Sequence, residues 1–250
     1  MIEGRRMNID VKQWADYYSD ESNLTKIANA CKYREVIVIK HLEDHNVPIR
    51  PLKIFKPEHL KFWIERLSLK TTIFDLYISN ASVKMPALTS DIKQLDTFRK
   101  YLTEHWAELV TGYDIFVDMD IENEDQRESA KTWSIKIEHI LEQQYPNVEI
   151  WDTTRGYHTI CKGQFNPEFV KELIQDICCE NGIPMSFPIK DKDGIRYIAK
   201  NNQWVELKPN EEIDEPKKPN CDTRIYDARR IRRVPYSLHS KTGKPMVRLQ

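Results

Sequence analysis

No apolar run in this 250-residue chain approaches the roughly 20 residues that cross a bilayer, and no secretory leader opens it. Neither a membrane span nor export is expected, and the expectation is an intracellular, cytoplasmic protein. Paired cysteine spacing is missing too. The five cysteines (Cys31, Cys161, Cys178, Cys179 and Cys221) contain no C-x-x-C, and an odd count fits a reducing interior better than a disulfide framework. Repeats and low-complexity tracts are absent, and 40% hydrophobic with 31% charged residues is an ordinary globular composition. A large net charge is lacking as well. The value of −1 by itself points to no nucleic-acid partner.

The distribution of charge says more. From Asp222 to Gln250 there are eight basic residues, Arg224, Arg229, Arg230, Arg232, Arg233, Lys241, Lys244 and Arg248, against Asp222 and Asp227, a local excess of six. Compensating acid lies in 122–128 and 211–215. Such a separation creates local fields that steer anionic ligands. At the other end, Ile2 to Arg5 matches a factor Xa cleavage site, so residues 1–6 read as an expression remnant.

Periodicity and turn residues predict an α+β fold without a strict βαβ rhythm. Helices are expected over 11–18, 57–67, 91–110 with Asp91 as cap, 129–144 and 167–179, the last ended by Asn181 and Gly182. Strands are expected over 35–40, 72–78, 113–121, 148–151, 157–161, 195–198 and 203–207, with 208–220 an exposed loop. Asp227 is expected to cap a short helix over 228–233 that Pro235 stops.

Two places carry chemistry. In the strand 113–121, Ile115, Val117, Met119 and Ile121 share one face, suited to a core, and Phe116, Asp118 and Asp120 share the other. Carboxylates two residues apart on a strand face lie about 7 Å apart along the backbone and repel, and a divalent cation relieves that repulsion. Oxygen-only ligation suits Mg²⁺ or Mn²⁺. Downstream, Asp222 precedes the arginine run 229–233 and then Ser237, His239 and Lys241. Guanidinium, imidazole and ammonium donors suit a polyphosphate, and a third carboxylate beside them suits two-metal phosphoryl chemistry. Four arginines within five positions repel one another unless some find anions. Arg233 is expected at the nucleotide, and Arg229, Arg230 or Arg232 on a template backbone. Arg155 and His158, around Gly156, can also donate to phosphate oxygens, and Gly156 permits close backbone approach by a ligand.

The order of these motifs resembles the catalytic small subunit of archaeo-eukaryotic primases and the wider primase–polymerase superfamily. Asp118 and Asp120 match its first motif, the run Arg155 to His158 its second, and Asp222 with the segment Pro235 to Gly243 its third. More weakly, Tyr33, Arg34 and Glu35 are similar to a segment whose arginine approaches the nucleotide, and 76–86 resembles the strand and loop before the catalytic module. The resemblance implies a primase–polymerase core over residues 7–250. A packed N-terminal α/β module would occupy about 7–110, and a catalytic module with an RRM-like antiparallel sheet about 111–250. It implies two divalent metals (Mg²⁺ or Mn²⁺) on Asp118, Asp120 and Asp222. Arg34, Arg155, His158, Arg233, Ser237, His239 and Lys241 would surround the incoming NTP or dNTP. Only 37 residues separate Asp120 from His158, with no cysteine among them. The zinc module of cellular primases is therefore expected to be absent, which suggests a compact plasmid-, virus- or defence-associated relative.

The expected activity is template-directed nucleotidyl transfer, as DNA primase, DNA polymerase or both, with single-stranded DNA template and primer strand as partners. A helicase, a large primase subunit or another fused domain is the kind of further partner the resemblance implies, the chain being read as a catalytic fragment of a longer protein. Two other readings stand beside it, a non-catalytic nucleic-acid-binding module and a metal-dependent nuclease. Three retained aspartates count against the first; the second leaves the Ser237 to Lys241 block without a use.

Overall fold

The computed structural model describes residues 10–84, 94–208, 211, 213, 218–223 and 229–249. The chain divides into two compact units, Met1–Thr111 with Ile231–Val247, and Gly112–Arg230 with Arg248–Gln250. Residues 231–247 thus fall in the first unit, far from the rest of it in sequence. Both units are mixed α and β, and their sheets are antiparallel.

In the first unit, β1 (Val36–His41), β2 (Asn46–Leu52), β3 (Phe74–Ser79) and β12 (Ile231–Arg233) form a sheet of order β12-β3-β1-β2. Helices α1 (Val11–Tyr17), α2 (Glu21–Cys31) and α3 (Pro57–Arg66) contribute Trp14, Leu24, Ile27, Leu60 and Trp63 to a core shared with Val36, Val38, Leu76, Ile78, Val234 and Leu238. Helix α2 was not expected from sequence. Its cue is the Asp20 side chain, which accepts from Asn23 N ahead of Leu24, Ile27, Ala28 and Cys31 at three- and four-residue spacing. Strand β2 carries Pro48 and Pro51, which argue against a central strand, and it lies at the sheet edge where a missing N–H is tolerated.

The helix expected over 228–233 is a correction. Ile231–Arg233 is a strand, paired antiparallel with β3 (Ile231 to Ser79, Arg232 to Ile78, Arg233 to Tyr77). An open edge on β3 overrides the weak local preference of an arginine run. Asp227 and Ala228 lie outside the described residues, as does Asp91. The single helix expected over 91–110 is α4 (Leu95–Glu104) and α5 (Trp106–Leu109). Strand β4 (Ala81–Val83) precedes them.

The second unit runs β5 (Val110–Asp120), α6 (Arg127–Glu142), β6 (Val148–Asp152), β7 (Gly156–Phe165), α7 (Pro167–Glu180) and β11 (Asn220–Cys221). The sheet order is β11-β5-β7-β6-β13, where β13 is Val247–Arg248. Counting only the four strands of this β-α-β-β-α-β run, the order is fourth, first, third, second. Between α7 and β11 a small sheet is inserted from β8 (Ile189–Lys192), β9 (Ile195–Lys200) and β10 (Gln203–Glu206). Helix α7 starts on an Asn166 cap with Pro167 at its first position, and buries Val170, Ile174, Ile177 and Cys178. The expected faces of β5 hold, because Ile115, Val117, Met119 and Ile121 all join the core under α6 and α7. Among the described residues no helix is long and apolar enough to cross a membrane.

Candidate functional site

Strand β5 sits between β11 and β7, and this brings three sequence-distant motifs together. Asp118 lies directly across from His158, and Asp120 from Gly156, in the β5–β7 ladder. On the other side Asn220 pairs with Asp120, and Asp222 N donates to Asp118 O at 2.8 Å. The polar face of β5 therefore carries Asp118 and Asp120, with His158 on the neighbouring β7 and Asp222 just after the neighbouring β11.

His158 Nε2 is 3.4 Å from Asp118 Oδ1, and the ring stands edge-on to Phe116 with centroids 4.8 Å apart. Its Nδ1 is buried without a hydrogen-bond partner. Asp222 Oδ1 accepts from Ser186 Oγ at 2.9 Å, and its Oδ2 from Arg230 Nη2 at 3.2 Å. Lys218 Nζ donates to Asp120 Oδ2 at 3.3 Å. Burial, and then the Asp118 carboxylate, push the Asp120 pKa above its ordinary value. Two basic side chains thus lie against carboxylates expected to hold metal. Both pairs are part-exposed, where an ion pair is worth about 0–1 kcal/mol, so neither is costly to break.

Gly156 makes this geometry possible in a way the sequence did not suggest. Its φ is +147°, and an added Cβ would lie 2.2 Å from Met119 O. The backbone that approaches Gly156 is the protein's own β5, between the two aspartates. Arg155 is exposed in the turn before β7. That turn is braced by Arg127, which donates to Thr154 O at 3.0 Å and pairs with Asp152.

The remaining expected ligands belong to the first unit. Asp75, the second residue of β3, anchors the third-motif loop. Its Oδ1 accepts from Ser240 N at 2.9 Å, and its Oδ2 from Ser240 Oγ at 2.5 Å and His41 Nε2 at 2.7 Å. Burial alone would raise the Asp75 pKa, but these donors together hold it below the ordinary carboxylate value. His239 Nδ1 accepts from Lys241 N at 3.1 Å, so the neutral ring carries its proton on Nε2 and presents a donor there. Lys241 is exposed at the loop tip. Ser237 is fully buried and its hydroxyl donates to Val234 O at 2.7 Å. Arg233 is buried, donating through Nη2 to Ser237 O at 2.7 Å and Lys244 O at 3.3 Å, and desolvation lowers its pKa. Tyr17 Oη donates to Tyr236 O at 2.6 Å, and Leu238 N donates to Tyr18 Oη at 3.0 Å.

Arg34 and Arg232 meet at Asn80. Arg34 Nη1 donates to Asn80 O at 2.6 Å and Arg232 Nη1 to Asn80 Oδ1 at 2.8 Å, with both arginines buried. Arg229 and Arg230 are half-buried in the second unit. The structure thus gathers Asp118, Asp120, His158 and Asp222 in one unit, with Arg230 on Asp222. Ser237, His239 and Lys241 share one loop of the other. Sequence reasoning missed Asp75, Ser186 and Lys218. Of these, Asp75 had a signal, a lone carboxylate inside an apolar strand that burial would force to find donors.

Compared with known proteins, the chain matches no family model, and no curated protein sequence matches it.

Proposed function

We propose that this protein is a template-directed nucleotidyl transferase, a DNA primase or DNA polymerase that uses Mg²⁺ or Mn²⁺. The observation that carries the reading is the convergence of Asp118 and Asp120 on β5, His158 on the adjacent β7, and Asp222 just after the adjacent β11. The strand order of the second unit is also that of an RRM-like sheet, which supports a primase–polymerase core.

The donor set fits a hard divalent ion. It is three carboxylates, two on β5 and one just after β11, of which Asp120 is held above its ordinary pKa by burial and by Asp118. When bound, two such ions supply activation of the attacking 3′-hydroxyl and neutralisation of the triphosphate. The protein's own part is positioning. Ser186 orients the Asp222 carboxylate, and the ladder across Gly156 sets the Asp118–Asp120 spacing. His158 offers an imidazole donor beside Asp118 within the same unit.

The test is primer-dependent and primer-independent nucleotide incorporation on single-stranded DNA, with Mg²⁺ or Mn²⁺, by wild type and an Asp118→Ala/Asp120→Ala double variant. The expected result is a loss of at least about a hundred-fold. Undiminished synthesis by a folded double variant overturns the metal assignment. Degradation of a labelled oligonucleotide without nucleoside triphosphates would make the protein a nuclease instead.

A further inference from the structure

Tyr33 is 63% exposed, the most exposed large apolar or aromatic side chain among the described residues. It is also held at φ +59°, a left-handed backbone that bulky residues seldom adopt. The conformation is pinned on both sides, by Arg34 N donating to Cys31 O at 3.2 Å and by Val83 N donating to Tyr33 O at 2.8 Å. An exposed ring on strained backbone does little for folding, since a glycine there would relieve the strain and expose no apolar surface.

The surroundings of the ring indicate what it is for. Tyr33 stands edge-to-face with Phe55, centroids 5.4 Å apart, and Lys53 Nζ lies 4.9 Å from the Phe55 centroid. Lys32 and Lys56 are exposed next in sequence to the two rings, and exposed Lys84 follows Val83, which bonds to Tyr33. Nearby acid is scarce. Glu35 is buried in a two-point pair with Arg50, which leaves Glu58 as the exposed carboxylate of these segments. Four lysines around two accessible aromatic rings match a polyanion that also has flat apolar faces.

We infer that Tyr33 and Phe55, with Lys32, Lys53, Lys56 and Lys84, form a surface of the first unit that binds single-stranded DNA by stacking bases on Tyr33 while the lysines meet phosphates. The inference rests on the nucleic-acid partner in the proposed function, but assigns it to residues that reading does not use. An acidic protein would satisfy the lysines and leave the ring unused, so the observations favour the nucleic acid.

The experiment is fluorescence anisotropy with a labelled oligothymidylate in EDTA and without nucleotides, so that no catalysis is needed. Tyr33→Gly is expected to weaken binding by about five- to a hundred-fold with Tm kept or raised, and Tyr33→Phe to keep most of the affinity. An abasic strand of equal length should bind wild type more weakly and be indifferent to Tyr33→Gly. Unchanged oligothymidylate binding by folded Tyr33→Gly overturns the inference. So does equal weakening toward the abasic strand, or displacement of the oligonucleotide by polyglutamate as readily as by unlabelled DNA. The incorporation activity of the Asp118→Ala/Asp120→Ala variant decides the catalytic reading independently of this result.

Discussion

At the scale of single residues, the polar face of β5 is arranged against its own stability. Asp118 and Asp120 repel, and burial raises the Asp120 pKa. A carboxyl group with a raised folded-state pKa binds protons more tightly folded than unfolded, so stability falls as pH rises from its ordinary value through the folded one. At neutral pH the ionised pair is therefore a burden without a cation. Replacing Asp120 by Asn should raise Tm by about 1–3 °C in EDTA, and Mn²⁺ should stabilise wild type but not the variant. Differential scanning fluorimetry checks both. A variant that is less stable than wild type in EDTA would mean that the Lys218 pair outweighs the repulsion. The alternation that exposes this face is fully readable from Ile115 to Ile121. The basic partners Lys218 and Arg230 are not, because each comes from a distant segment.

At the scale of elements, the third-motif loop is held by groups of opposite titration sense. Asp75 has a lowered pKa, so its contribution is present above its ordinary value of 3.8 and lost as pH falls through the folded one. His41 has a raised pKa, first through its hydrogen bond to Asp75, so its contribution is complete below 6.5 and lost as pH rises through the folded value. The clamp is strongest between these two limits. Wild-type stability should decline on both sides of that window, and Asp75→Asn should flatten the profile, as followed by urea midpoints against pH. The conformation of the arginine run is also decided at this scale. A six-residue stretch rich in arginine has no periodicity strong enough to choose helix or strand, and the open edge of β3 chose for it.

At the scale of the molecule, the chain leaves the first unit after Thr111 and returns to it at Ile231. The second unit therefore cannot be cut out at one point. A chain ending at Arg230 would strip β12 from β3 and remove Val234 and Leu238 from the first core. We expect hydrogen exchange in β3 to lose protection in that truncation, while β5–β7 of the second unit keeps theirs. Equal protection of β3 in both chains would show that the returning segment contributes little to its own unit. The local charge excess is reinterpreted at this scale as well. Arg232 and Arg233 are buried with oxygen partners of the protein, so the basic segment offers fewer charges to phosphate than its composition suggests.

The sequence by itself determined the mixed α and β class, the core and polar faces of β5, the hairpin of β6 and β7, and the order of the motifs. These are properties of local periodicity and of residue type, which any folded arrangement must respect. Tertiary structure alone decided that Asp222 lies beside Asp118, that Gly156 is approached by the protein's own strand, and that Asp75 pins the loop of His239 and Lys241. It also decided that Arg34, Arg232 and Arg233 face inward. Those outcomes follow from which strand edges pair over long sequence separations, and from where buried charges find their partners. Neither leaves a repeating pattern in the local sequence.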